Sequence, residues 1–155
     1  MLSSPYVKKE NAMPMRLIKF YQESSDGAYF KTKGKTLLAF IPDFTKYGWF
    51  DLEKKGSLNT LENKTYHIVL NLMSLDDKKR SKAKKAMTYR HGFEYIVRGI
   101  VKKVFEEYLV MDCGIEITLT PLKTAKAFST GDWIEARGRL DAYLVEWTAP
   151  LISNG

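Results

Sequence analysis

Hydrophobic and polar residues alternate along much of this chain, in stretches that are short. The pattern is cleanest over residues 66–73, where Tyr66, Ile68 and Leu70 share one side, and it returns over residues 93–104. Successive side chains of a strand point to opposite faces, so this spacing predicts half-buried β-strands. The predicted strands are 16–21, 28–31, 36–41, 49–52, 66–73, 93–104, 108–113, 115–120, 133–139 and 141–147.

One central segment interrupts the alternation. Ser74 and Asp77 have the spacing of a helix capping box, and lysines fill the turns that would follow. A few small apolar residues form only a thin stripe, and like charges repel at helical spacing. We therefore predict either a basic surface helix or a linker over residues 76–91. A shorter helical turn is predicted over residues 122–128, where apolar residues recur at core spacing.

These elements indicate an all-β fold, mainly strands with one or two short helices. The first residues are polar, include two prolines and have no period, which is typical of a loose arm. The N-terminal half is β-rich and forms either a second small barrel or part of the same domain. The predicted segments are a flexible arm (residues 1–14), the β-rich half (15–75), the basic helix or linker (76–91), a small barrel (92–148) and a tail (149–155).

Glycines divide the C-terminal strands into a long bent strand, a hairpin, a short helical connection and two further strands. The residues that carry this pattern are Val97-x-Gly99-x-Val101-x-x-Val104, Leu109-Val110-x-Asp112-x-Gly114 and Gly131-Asp132-x-Ile134-x-Ala136-x-Gly138-x-Leu140. The arrangement resembles the OB-fold, a five-stranded Greek-key barrel. The resemblance implies a small closed barrel and, as one use of it, binding of single-stranded nucleic acid. An SH3-like barrel would have glycines and turns at similar spacings.

The two halves of the chain also resemble each other at one point. Residues 63–68 and residues 130–134 each place a polar turn directly before a strand. This similarity predicts two related β units, one in each half. The alternative is that two hairpin-rich segments look alike without being related.

The positive charge is unevenly distributed. The chain carries a net charge of +7, and residues 76–91 alone hold seven basic and two acidic side chains. Residues 1–35 hold seven basic and three acidic side chains, whereas residues 92–155 hold seven and nine. Attraction to phosphate groups would therefore begin at the N-terminal segment and the central segment, and the predicted barrel itself is slightly acidic.

Nucleic-acid binding needs cations that follow the phosphates and flat side chains on which bases stack. If the alternation holds, Trp133, Arg137 and Arg139 share one face with Glu135. The alternative is that Trp133 covers a barrel end and that the arginines pair with carboxylates such as Glu135. The candidate nucleic-acid-binding residues are Lys78, Lys79, Arg80, Lys82, Lys84, Lys85, Arg98, Lys102, Lys103, Trp133, Arg137 and Arg139.

No catalytic or metal-binding motif accompanies these residues. His67 and His91 stand apart from any HExxH pattern, phosphate-binding glycine loops are absent, and Cys113 has no neighbouring base and is interpreted as a small buried hydrophobe. We expect no catalytic residues, no metal and no cofactor. No apolar run approaches the roughly 20 residues of a membrane span, and the N-terminus lacks the apolar centre of a signal peptide, so we expect a cytoplasmic protein without a membrane partner.

Two functions follow from these observations. The first is a nucleic-acid-binding protein that prefers single-stranded DNA or RNA with low sequence specificity. The second is a protein-interaction or assembly module, with a protein partner or a homo-oligomer, whose small β-barrel does not contact nucleic acid. The slightly acidic barrel favours the second function, and the basic segment favours the first.

Overall fold

A computed structural model describes residues 9–21, 27–42, 62–82 and 84–145 of the chain. The described residues are mostly in strands, which confirms the all-β prediction, and the helical part is limited to short 3-10 turns at Lys9–Asn11 and Ala125–Ala127. The strands are β1 (Met13–Phe20), β2 (Gly27–Thr32), β3 (Lys35–Phe40), β4 (Lys64–Arg80), β5 (Ala86–His91), β6 (Glu94–Val104), β7 (Leu109–Asp112), β8 (Glu116–Thr120) and β9 (Trp133–Leu144).

The chain divides into two compact units. Unit 1 contains the described residues up to Val69 together with those from Ala142 onwards, and unit 2 spans Leu70 to Asp141. Both divisions fall inside strands, one within β4 and the other within β9. The boundaries therefore differ from the predicted ones, since residues 92–148 do not supply every strand of the C-terminal unit.

Unit 1 is a closed ring of paired strands. β1, β2 and β3 form an antiparallel meander, β3 pairs with β9, β9 pairs with β4, and β4 returns to pair antiparallel with β1. Its largest fully buried side chains include Phe30 and Tyr66. A ring closed in this way leaves no unpaired edge around its core.

Unit 2 is a second ring with the same order of pairings. β6, β7 and β8 form the meander, β8 pairs in parallel with β4 through Asn71–Thr118 and Met73–Thr120, and β9 closes the ring against β6. β5 lies outside the ring as an additional strand on β6. The core is built from the predicted inward face of β6, including Val97 and Val101, and from buried residues of β7 and β8.

β4 and β9 hold equivalent positions in the two rings. β4 pairs with the first strand of unit 1 and then continues as the strand beside β8 in unit 2. β9 pairs with the first strand of unit 2 and then continues as the strand that follows β3 in unit 1. The turns before β4 and β9, at Asn63 and Gly131, both have positive φ. The two segments whose similarity the sequence indicated are thus topologically equivalent.

Residues 76–91 were predicted as a helix or a linker, and the prediction of a helix is wrong. β4 continues to Arg80, and β5 begins at Ala86. The Ser74–Asp77 pair that suggested a helix cap exists, with Ser74 Oγ 2.6 Å from Asp77 Oδ2. The same carboxylate accepts a hydrogen bond of 2.7 Å from the backbone N–H of Leu122. The pair therefore ties β4 to the segment after β8, and tertiary contacts override the local helical signal.

Other predicted boundaries change in smaller ways. The two strands predicted over residues 133–139 and 141–147 are the single strand β9 over its described length, and the predicted arm over residues 1–14 is shorter because β1 begins at Met13. The helical turn predicted over residues 122–128 is reduced to Ala125–Ala127. The strand predicted over residues 49–52 lies outside the described residues.

Two glycines in unit 2 allow the strands of the ring to approach closely. A Cβ at Gly99 would overlap the backbone carbonyl of Asp112, and a Cβ at Gly138 would overlap the backbone carbonyl of Met73. Both contacts involve backbone, which cannot move aside as a flexible side chain can. Gly99 therefore has the role of close backbone approach expected of a glycine inside a strand.

We expect Gly138→Ala to lower the free energy of unfolding by about 2 to 3 kcal/mol through overpacking. Urea unfolding followed by tryptophan fluorescence measures the change. Gly92→Asn is the matched control, because Gly92 has a φ of 55° with no atom near the added Cβ, and asparagine tolerates that conformation. Equal stability of Gly138→Ala and the unaltered protein would contradict the close approach of β4 to β9.

Candidate nucleic-acid interface

The outer face of β9 has the alternation predicted from the sequence. Trp133, Glu135 and Arg137 are half-buried and lie on the side opposite the buried Ile134 and Ala136. The strand thus presents an aromatic ring, a carboxylate and a guanidinium in succession.

β6 supplies the neighbouring row of this face. Arg98 is directly opposite Glu135 in the ladder, and Ile100 is opposite Trp133. The outward residues of β6 are half-buried, whereas Val97 and Val101 between them are completely buried. Directly opposed side chains of an antiparallel pair lie about 5 Å apart, so Arg98 and Glu135 are in contact by virtue of register alone.

Glu135 is the centre of a cationic cluster. Its carboxylate accepts hydrogen bonds of 2.8 Å from Arg98 Nε and 2.8 Å from Arg80 Nη1, and Lys78 Nζ lies 4.0 Å away. Two of these cations come from β4 and one from β6, so residues 55 positions apart in the chain meet here. Three positive charges and one negative charge leave the cluster net positive.

The electrostatics of the cluster follow from this geometry. The hydrogen bond from Arg98, followed by the charges of Arg98, Arg80 and Lys78, holds the pKa of Glu135 below its usual value despite the opposing effect of burial. Glu135 remains ionised at neutral pH and is 19% exposed, whereas the Lys78 side chain is 60% exposed. The ammonium group of Lys78 is therefore the member most accessible to a ligand.

Four of the eight other predicted cations form ion pairs with carboxylates in unit 2. Arg137 and Arg139 pair with carboxylates other than Glu135, whose partner on the neighbouring strand is Arg98. The pairs are Lys79 Nζ with Asp132 Oδ2 at 3.5 Å, Lys85 Nζ with Asp112 Oδ2 at 2.7 Å, Arg137 Nη1 with Glu94 Oε2 at 3.4 Å, and Arg139 Nε and Nη2 with the buried Asp141 at 2.7 and 3.0 Å.

A second group of predicted cations lies near the β7–β8 hairpin. The hydrogen bond from Lys85, with a further one from the backbone N–H of Gly114, lowers the pKa of Asp112, and the charge of Lys102 contributes. Among the described residues, the ion pairs of Glu135 do not include Lys85 or Lys102. Within the described residues, Lys82, Lys84 and Lys103 form no ion pair.

Sequence reasoning missed a set of cations in unit 1. Arg16, Lys31, Lys33 and Lys35 are exposed, and none of them forms an ion pair with a residue that the structure describes. The signal was present as Lys31-Thr32-Lys33-Gly34-Lys35, in which lysines recur at every second position around a glycine turn. The positive charge of residues 1–35 is evident from the sequence, but the hairpin that exposes these lysines is not.

The described residues contain no group of three or more His, Cys, Asp or Glu side chains arranged to hold a metal ion. Cys113 is buried, as predicted, and its thiol lies 3.5 Å from the carbonyl oxygen of Ile115. No helix within the described part of the chain is long and apolar enough to cross a bilayer.

Comparison of the chain with protein-family models, with curated proteins and with solved structures gives no match.

The lowered pKa of Glu135 predicts a loss of stability in acid. A carboxyl whose pKa is lower in the folded state stabilises the fold above its unfolded pKa, and this contribution is lost as the pH falls through the folded pKa. We expect the free energy of unfolding to fall between about pH 5 and pH 3. Glu135→Gln should be about 1 kcal/mol less stable at pH 7 and should show a flatter pH profile.

Glu116→Gln is the control for this experiment, because Glu116 is exposed and forms no ion pair with a described residue. It removes the same charge without touching the cluster. Urea midpoints at a series of pH values compare the three proteins. Parallel pH profiles for the unaltered protein and Glu135→Gln would contradict the assigned role of the carboxylate.

Proposed function

We propose that this protein binds single-stranded nucleic acid with low sequence specificity. The observation that carries the proposal is the cluster in which Lys78, Arg80 and Arg98 meet at Glu135, beside Trp133 on the same outer face of β9. Three cations around one carboxylate leave positive charge that a phosphate can neutralise. An adjacent half-buried indole offers a surface on which a base can stack.

The strand order supports an OB-type assignment for unit 2. A three-strand meander, a short helical turn between β8 and β9, and a parallel closure that requires a long connection are features of a five-stranded Greek-key barrel. The fifth strand comes from β4, upstream of the meander, rather than from the end of the chain. Barrels of this class bind oligonucleotides, oligosaccharides or proteins, so the fold alone does not select among them.

Binding at the cluster would proceed by exchange of partners. A phosphate oxygen that approaches Lys78 or Arg80 replaces part of the interaction with Glu135, and the counterions held near these side chains return to solution. Arg98 remains hydrogen-bonded to Glu135 and keeps the carboxylate in place. Stacking on Trp133 tolerates any base, because every base has a flat aromatic face.

We expect the unaltered protein to bind a fluorescein-labelled 30-mer of oligodeoxythymidylate, with affinity that falls steeply as salt rises. Fluorescence anisotropy at 50 and 200 mM sodium chloride measures this dependence. Affinity for a duplex of the same length should be lower, since paired bases cannot stack on Trp133. Failure to bind the oligonucleotide at the lower salt concentration would reject the proposed function.

Two substitutions at the cluster should change affinity in opposite directions. Arg98→Gln removes a cation and should weaken binding by about threefold to tenfold, whereas Glu135→Gln removes a competing anion and should strengthen it. The same anisotropy titration measures both, with Glu116→Gln as the control for a carboxylate lost elsewhere. A cluster with a purely structural role would lower stability in both variants and leave oligonucleotide affinity unchanged.

The second candidate function is a protein-interaction module. The ion pairs of Arg137 with Glu94 and of Arg139 with Asp141 favour it, because paired cations are less available to phosphates. Large apolar side chains of unit 2 are also exposed, namely Met73, Leu75 and Leu122. Light scattering that shows a stable oligomer, together with no oligonucleotide binding, would select this function instead.

A further inference from the structure

The exposed side of the β1–β2–β3 meander in unit 1 carries cations that have no counter-charge within the described residues. Arg16 on β1 is directly opposite Lys31 on β2. Both side chains are exposed, and neither forms an ion pair with a described residue. Like charges directly opposite each other destabilise a sheet, so binding of an anion to this pair is favourable.

The β2–β3 hairpin extends this positive surface to its tip. The two-residue turn Lys33-Gly34 has φ values of 49° and 80°. Lys35 closes the hairpin opposite the buried Thr32, so it lies on the other face of the sheet from Lys31. The Thr32 hydroxyl donates a hydrogen bond of 3.2 Å to the carbonyl oxygen of Pro14, which fixes the hairpin to β1. The lysines at the tip are thus held on a rigid two-strand element rather than on a long loop.

An aromatic ring lies on the same two strands. Tyr29 on β2 is opposite Lys19 on β1, and Lys19 Nζ lies 5.6 Å from the centre of its ring. Tyr21 lies beside Tyr29, with ring centres 6.2 Å apart. Tyr29 is half-buried, whereas its neighbour Phe30 is completely buried in the core. The two aromatic side chains of β2 therefore lie on opposite faces of the strand.

We propose that this face, formed by Arg16, Lys19, Tyr29, Lys31 and Lys33, is a second binding surface for single-stranded nucleic acid. The inference rests on the proposed function of the protein and assigns part of that binding to unit 1. Arg16 and Lys31 form no ion pair with a described residue, so a phosphate that binds them breaks none of the described ion pairs. A phosphate strand that follows β2 from Lys31 to the hairpin tip meets a cation at every second residue.

The test compares two double variants that change the net charge equally. Arg16→Gln/Lys31→Gln removes the two directly opposed cations of the proposed surface. Lys123→Gln/Lys126→Gln removes two exposed lysines from the β8–β9 connection, where Lys126 pairs with the exposed Glu106 at 3.9 Å. Anisotropy with labelled 30-mer oligodeoxythymidylate is measured from 50 to 200 mM sodium chloride, and circular dichroism verifies that each variant is folded.

The site variant should bind on the order of tenfold more weakly near 100 mM salt, and the slope of log K against log salt should decrease in magnitude by about 1.4 for two lost phosphate contacts. The control should keep the slope of the unaltered protein. Arg16→Lys/Lys31→Arg retains both charges and should retain the affinity. Tyr29→Leu should weaken binding while Tyr29→Phe preserves it, because stacking needs the ring and not the hydroxyl.

The outcomes separate this inference from the proposed function. If the unaltered protein binds and the site variant equals the control, unit 1 is not a binding surface and the proposal for unit 2 stands. If the unaltered protein does not bind the oligonucleotide at 50 mM salt, both proposals are overturned. If the site variant and the control weaken binding equally, the loss of net charge alone accounts for the effect, and the assignment to this face is overturned.

Discussion

The pairing of β4 with β9 is the interaction on which both units depend. Each strand closes the ring that contains its own meander and then supplies a strand to the other ring. In unit 1 the backbone N–H of Val145 donates to the carbonyl oxygen of His67, and in unit 2 the backbone at Gly138 lies against Met73. The partner of β4 moves back along β9 as β4 advances, so the two strands run antiparallel, and each strand completes both rings of pairings.

This constraint explains which features the sequence predicts well. Alternation is a local signal, and it identifies the inward face of β6 through Val97 and Val101 and the outward face of β9 through Trp133 and Glu135. Glycine spacing likewise predicts the β7–β8 hairpin at Gly114. These features depend on near neighbours in the chain and need no knowledge of the rest of the fold.

The features that the sequence does not reveal depend on distant partners. The basic segment after Ser74 has the local pattern of a helix, with a capping pair followed by lysines. In the structure it is a strand, and Lys79 and Arg80 form ion pairs there with Asp132 and Glu135. Ion pairing across more than fifty residues leaves no local pattern. For the same reason the sequence does not show that seven of the predicted cations have carboxylate partners, whereas Lys31 and Lys33, which were not selected, have none among the described residues.

The exchange of strands also sets the order in which the protein can be completed during synthesis. β1, β2 and β3 are synthesised before β9, which is the strand beside β3. The meander of unit 1 must therefore wait, with that edge of β3 unpaired, until β9 has been translated. Long-range closure of this kind slows folding and exposes unpaired edges to other chains.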